Sequence, residues 1–436
     1  MQRALSLLIA LACLVATACL AACGSPEALQ PPASMPSGYV FRNVAVLDPD
    51  RAQLSPPQDV LVLGGFIAAR GTIADSAIPG DVIEIDGRGR VLMPGLIDMH
   101  VHVFDESDLA ANLAVGVTTV RNMGGFPFHL PLARRIEAGD ILGPRLITTG
   151  PILNEAGGRN SNLLQWEVAG ADEARDAVRR QFARGFRHLK VYSNLSGESF
   201  AAILDEAERL GMDVSGHPVE GTPEDPVDIG MTLAAHLVTI EHAESIVWHG
   251  LHDDTDPARG RALAERFAAA GATVTPTLVV HENLTLIGET GGAHLQRRDM
   301  ASFNPVVAGF ELDTYDFWVR TGGAERREMQ SVYTRFTGQL HDAGVRLVVG
   351  TDAGIMATPP GVSVLREMEL LVEAGLSPAE ALQAATVNPA DALGLAGHTA
   401  SNMTCRPGGP ALHEETTRSL VTDLSAGGQA TLDALT

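Results

Sequence analysis

Pro94-Gly95-Leu96-Ile97-Asp98-Met99-His100-Val101-His102 sets two histidines two residues apart at the end of an apolar run. In an extended strand, residues i and i+2 point to one face, so both imidazoles can reach a single cation. Two unrelated polar residues at a strand end are the other reading of the pair alone. From residue 96 onward, apolar strand-like runs alternate with amphipathic helical stretches, the pattern of a parallel sheet with crossover helices. The candidate strands are 96–102, 117–123, 145–150, 188–193, 213–217, 239–244, 273–278 and 346–350, with helix-like segments at 172–184, 199–210, 257–270 and 324–343. The alternation is read as an α/β fold, a (β/α)8 TIM-like barrel over residues 92–396. An open doubly wound sheet is the competing arrangement. The longest connection, 279–345, follows a late strand, a natural place for a lid or specificity element.

Upstream of this pattern, residues 39–91 read as short strands separated by Asp, Pro and Gly turn signals, a small N-terminal β-sandwich domain. Further upstream, Arg3 precedes an apolar run over 4–22, and Leu20-Ala21-Ala22-Cys23-Gly24 resembles a bacterial lipobox. Residues 1–22 are therefore expected to be a lipoprotein signal peptide, Cys23 the lipid-bearing residue and 23–38 a flexible tether. The expected location is the bacterial cell envelope, on the outer membrane facing the periplasm. An ordinary secretory signal or a single membrane anchor is the plainer alternative. With Cys13 and Cys19 removed and Cys23 acylated, only Cys405 remains, so no intrachain disulfide is expected in the mature form.

Across the 436 residues, 53 acidic side chains face 31 basic ones, a formal charge of −22 that disfavours nucleic acid and anionic lipid surfaces as partners. All but one of the basic residues are arginine, and the exception is Lys190, at the end of the strand-like run His188-Leu189-Lys190-Val191-Tyr192. A lysine of lowered pKa can add CO₂ to form a carbamate, which arginine cannot, and a carbamate offers two oxygens to two cations. A chance surface lysine is the plain alternative. His217, in Ser215-Gly216-His217-Pro218, and His242, in Ile240-Glu241-His242-Ala243, each end a candidate strand. Imidazole there is a common Zn²⁺ ligand, and a hydrogen-bonded loop histidine is the commoner role of either one alone. Asp352, in Gly350-Thr351-Asp352-Ala353-Gly354, follows the eighth strand, where it can ligate a metal and accept a proton, or cap a helix.

Taken in order, these residues resemble the binuclear metal-dependent branch of the amidohydrolase superfamily, closest to imidazolonepropionase-like proteins and Xaa-Pro dipeptidases. The likeness also runs through Gly116-Val117-Thr118-Thr119-Val120-Arg121 and Ala381-Leu382-Gln383-Ala384-Ala385-Thr386-Val387-Asn388-Pro389-Ala390. The resemblance implies that His100, His102 and Asp352 hold one of two divalent metal ions and His217 and His242 the other, with carboxylated Lys190 bridging both. It makes Asp352 the catalytic residue that takes a proton from the attacking water and returns it to the leaving group. Zn²⁺ heads the candidate metals, and nitrogen and oxygen ligation also admits Co²⁺, Mn²⁺ and Ni²⁺. Two departures stand out: Asn122 replaces the usual aspartate of the second strand end, and 397–436 reads as a divergent C-terminal tail lacking the family's closing strands.

The expected reaction is hydrolysis of an amide or peptide C–N bond in a small peptide or N-acyl amino acid, of dipeptidase or carboxypeptidase type. Tyr192, His281 and Arg121 are candidate substrate-binding residues. Tyr192 and His281 read equally well as packing residues, and Arg121 as part of a structural ion pair. A lactonase, cyclic-amide or phosphotriester hydrolase would use the same site. A non-catalytic envelope binding lipoprotein would be expected to have lost ligands, and none is missing.

Overall fold

The computed structural model describes residues 37–157 and 165–395. The expected signal segment 1–22, Cys23 and the tail 397–436 lie outside the described residues. No helix among the described residues is long and apolar enough to cross a membrane.

The chain opens with β1 (Gly38–Asp48), β2 (Gln53–Leu54), β3 (Gln58–Leu63), β4 (Phe66–Gly71), β5 (Ile83–Asp86) and β6 (Val91–Leu92). Residues 39–41 and 44–47 belong to one strand, β1, with an irregular register between Phe41 and Val44. Asn43 sits there at φ 55°, a conformation asparagine tolerates better than most residues. On one side of this bend β1 pairs with β3 and β5, on the other with β2 and β6. Gly64 and Gly65 join β3 to β4 at φ 54° and 82°, positive angles that a two-residue hairpin turn requires at both positions. Alternation along β1 and β3 buries Tyr39, Phe41, Val60 and Val62 on one face and Val40 and Leu61 on the other.

Beyond it the strands are β7 (Leu96–Val101), β8 (Val117–Asn122), β9 (Arg145–Thr148), β10 (Ile152–Glu155), β11 (Gln165–Val168), β12 (His188–Val191), β13 (Asp213–Gly216), β14 (Ile240–Glu241), β15 (Thr273–Thr275) and β16 (Arg346–Leu347). Neighbours pair in parallel as β7-β8-β9 and β12-β13-β14-β15-β16. Two seams join these runs. Thr149 bridges His188 between β9 and β12, and Val101 bridges Ala353 between β7 and the segment after β16. At the second seam Met99 N donates to Val349 O at 2.9 Å and His102 N to Ala353 O at 2.7 Å. The sheet is thus closed, as an eight-stranded barrel and not an open doubly wound sheet. The sequence reading did not foresee β10 and β11, a parallel pair that lies beside β12 through Leu153 and Val191.

Helices follow the strands where amphipathic spacing places them, at Gly170–Arg184, Gly197–Leu210, Pro257–Ala269 and Ala324–Asp342. Their apolar faces, including Val178, Phe200, Ile203, Phe267 and Phe336, build the core against Leu189, Val214 and Val274 of the strands. The long connection is helical: Leu278–Glu289, Pro305–Phe310 and Leu312–Thr321 precede Ala324–Asp342. It is fastened at the mouth of the barrel, where Asn304 donates to Asp105 Oδ2 at 2.6 Å and Glu311 accepts from Met356 N at 2.8 Å.

Candidate active site at the carboxyl ends of the strands

His100 and His102 end β7, Lys190 lies in β12, His217 follows β13, His242 follows β14 and Asp352 follows β16. All six are buried. Alternation along the strands aims His100, His102, Lys190 and His217 at the barrel axis, and the parallel sense brings every strand end to the same mouth. His100 Nε2 lies 3.3 Å from Asp352 Oδ1 and 3.1 Å from Lys190 Nζ, and His102 Nε2 lies 3.0 Å from Asp352 Oδ1. The rings of His100 and His242 are 4.6 Å apart between centroids, and those of His217 and His242 4.4 Å. Two ligands occupy strained backbone: His242 has φ 67° and Asp352 φ 61°. Such angles persist only where surrounding contacts fix them, and they turn both side chains inward directly after their strands.

The partners of each ring determine which nitrogen is free. Glu241 Oε2 lies 2.7 Å from His100 Nδ1, so a neutral imidazole carries its proton there and presents the Nε2 lone pair to Asp352. Thr277 Oγ1 lies 2.7 Å from His242 Nδ1, leaving Nε2 of that ring for the site. His217 Nδ1 and Asp352 Oδ1 are buried without a hydrogen-bond partner among the described residues. Burial lowers the pKa of all four histidines, keeping them neutral. Facing lone pairs and a carboxylate oxygen, buried together, call for a cation. His100, His102 and Asp352 present ligand atoms within 4.8 Å of one another. The donor set fits divalent metal, and burial also pushes the Lys190 ammonium down to about 8, within reach of its neutral, CO₂-reactive form.

Arg121 does not face the site opening. Its guanidinium is buried and donates to Glu241 Oε1 at 2.7 Å, Thr239 Oγ1 at 2.7 Å, Ser215 Oγ at 3.0 Å and, through Nε, Met99 O at 2.7 Å. Of the two readings of Arg121, these contacts are those of the structural ion pair, since every one of these donors is used inside the barrel. Burial alone would raise the Glu241 carboxyl, but Arg121 and His100 outweigh it and hold it ionised. Glu241 was not singled out in the sequence, although its place one residue before His242 was visible. In the strand it shares its inward face with Thr239, so it meets His100 inside the barrel, and the positive φ of His242 brings that next side chain to the same mouth.

Asp98 performs a similar service on the other side. It accepts from Thr351 Oγ1 at 2.6 Å and from the backbone N–H groups of Thr351 and His100 at 3.1 Å each. This fixes the residue before Asp352 against the strand that carries the histidines. Gly350 lets the two segments approach, since a Cβ there would stand 2.3 Å from Thr275 Cγ2 and 2.9 Å from His100 Cβ. Asn122, the departure at the second strand end, accepts from Val103 N at 2.8 Å and donates to Thr148 Oγ1 at 3.0 Å. Its amide thus fixes the turn after His102 with a donor that aspartate would lack. Tyr192 stacks on His217 at 4.1 Å, and His281 lies in the first turn of the helix Leu278–Glu289 with its ring 5.3 Å from that of Tyr333.

The sequence profile described as Amidohydrolase family matches residues 91–400. The chain belongs to the amidohydrolase family. It is 23% identical over 363 residues to ochratoxinase from Aspergillus niger, covering 68% of this chain and 64% of that protein, so it spans under two thirds of that relative's length. It is 25% identical over 427 residues to imidazolonepropionase from Deinococcus deserti, covering 92% of this chain and 95% of that protein. Among solved structures, that of a candidate prolidase from Bifidobacterium longum superposes with a TM-score of 0.65 at 25% identity, over 92% of this chain and all of the other. The chain accordingly has the TIM-barrel fold of the amidohydrolase family, with a β-rich N-terminal domain.

Proposed function

From membership of the amidohydrolase family, we propose that this enzyme uses a binuclear metal site to cleave an amide or peptide C–N bond in a small peptide or N-acyl amino acid. One observation carries the reading: six donors from five strand ends converge in one buried cluster, with the Nδ1 atoms of His100 and His242 already occupied by Glu241 and Thr277. We assign one cation to His100, His102 and Asp352, the other to His217 and His242, and the bridging position to Lys190 as its carbamate. Two such cations, Zn²⁺ foremost, supply Lewis acidity that lowers the pKa of a water and polarises the scissile carbonyl. Asp352 takes the proton from the attacking water with its free carboxylate oxygen and delivers it to the leaving nitrogen. Tyr192 and His281, at the mouth of the barrel, are proposed to meet the substrate beside the cleaved bond. The likeness to a candidate prolidase supports a peptide substrate over a lactone or phosphotriester.

Asp352→Asn keeps a ligating oxygen but loses the proton acceptor. Its kcat is expected to fall by roughly 10²- to 10³-fold with metal still bound. The test is a dipeptide library assayed beside lactones and aryl esters on Zn²⁺-loaded protein. Turnover confined to the esters, or fewer than one metal per chain in the wild type, would sink the peptidase reading.

We further propose that the mature chain is lipid-anchored through Cys23 in the cell envelope, on the strength of the apolar run over 4–22 and the small residues around Cys23. Metabolic labelling with a radioactive fatty acid is expected to mark the wild type and spare Cys23→Ser. Equal labelling of both would remove the anchor from this reading.

A further inference from the structure

The helix Leu278–Glu289 begins at Thr277, which adopts φ 50° and ψ 47° and makes no side-chain cap to its own helix. Threonine is a good helix cap when free to turn toward the first N–H groups. Here its Oγ1 is turned away, 2.7 Å from His242 Nδ1. The orphan donors are met from elsewhere. Glu367, fully buried in the helix Val362–Ala374, accepts from Leu278 N through Oε1 at 3.0 Å and from Val279 N through Oε2 at 2.7 Å. Burial pushes the Glu367 carboxyl up to about 8, while the two N–H groups and the helix dipole favour its ionised form. His242 N in turn donates to Thr275 O at 2.8 Å, and Ala243 N to Pro276 O at 3.0 Å, so the turn carrying Thr277 and the turn carrying His242 are tied together.

We propose that Glu367 is a positioning residue for the metal centre: by capping the Leu278–Glu289 helix from outside, it frees the Thr277 hydroxyl to orient His242. The inference rests on the assignment of His242 as a cation ligand. Without Glu367, Thr277 gains by leaving its strained angle and capping its own helix, and the His242 ring loses the contact that holds its orientation.

The experiment is a double-mutant cycle of Glu367→Gln and Thr277→Val in the full chain, read by Co²⁺ titration of metal-free protein and by its urea midpoint. Each single variant is expected to weaken the second Co²⁺ by about 10- to 100-fold while leaving the first unchanged. The double variant is expected to bind like Thr277→Val alone. Unchanged affinity for both ions in Glu367→Gln, or losses that simply add, overturn the proposal, because a merely structural cap would lower the urea midpoint and leave the titration alone. If the wild type takes up fewer than two Co²⁺, the two-metal reading fails. The cycle on the metal-free urea midpoint then decides alone, coupling supporting the Glu367–Thr277 link and additivity overturning it. Should Glu367→Gln not fold, Glu367→Asp, which keeps the carboxylate and shortens its reach, enters the same cycle with the same two outcomes.

Discussion

Lys190→Arg is expected to lower kcat/KM by roughly 10⁴-fold and to leave fewer than two metals per chain, while the protein still folds. Arginine keeps the positive charge and most of the length, so packing in the barrel is disturbed little, but it has no amine that adds CO₂. Two cations that share no bridging anion repel each other in a buried site, and loss of one removes a clamp supplying several kcal/mol to the transition state. The geometry makes the substitution informative. Lys190 Nζ stands 3.1 Å from His100 Nε2, so the side chain already reaches the atom assigned to the first cation. Metal analysis with steady-state kinetics on the best substrate of the library screen, beside a melt of the metal-free protein, separates the outcomes. A Lys190→Arg enzyme with two metals and wild-type kcat/KM would show that no carbamate is needed.

Glu241→Gln carries the largest expected cost in stability. Glu241 is fully buried between two donors, accepting from Arg121 Nη2 at 2.7 Å and lying 2.7 Å from His100 Nδ1, with Thr239 also donating to it. Replacing it leaves the Arg121 guanidinium charged, buried and without its counterion, which typically costs about 3–5 kcal/mol. It also turns an amide donor either toward Arg121, which can only donate, or toward His100 Nδ1, which can accept only in its other tautomer. The urea midpoint is expected to fall accordingly, and metal affinity to drop by about 10- to 100-fold as His100 loses its fixed tautomer. The pair Arg121→Met with Glu241→Leu separates the two effects. It removes both charges, so stability is expected to return in part while metal binding stays weak. An unaltered urea midpoint in Glu241→Gln would mean that the ion pair contributes nothing to the fold.

These two residues divide cleanly by how far the sequence could speak for them. Lys190 was legible because a single lysine among arginines at a strand end is a local and compositional fact. The two histidines of β7 were legible because a strand has a period of two, which assigns both side chains to one face without knowledge of anything distant. Alternation of strands and helices likewise announced the barrel, since a parallel sheet needs a crossover between every pair of strands. Glu241 was not legible: its partners Arg121 and His100 lie 120 and 141 residues away, and no local pattern encodes which carboxylate meets which imidazole. Arg121 stayed open between a substrate contact and a structural ion pair for the same reason, an inward guanidinium and an outward one having identical sequence signatures.

What the sequence by itself determined, then, is the set of chemical groups and the faces of the strands that carry them. What only the tertiary structure decided is their protonation and aim. Closure of the sheet at Val101 and Ala353 brings Asp352 to the histidines of β7, and the positive backbone angles at His242, Thr277 and Asp352 turn their side chains. Partners drawn from distant strands and helices, Glu241, Thr277 and Glu367, assign each proton and each cap. Periodicity is a property of neighbouring residues and survives in the sequence. Strain and buried charge pairing exist only when remote segments are packed together, so they appear only in the fold.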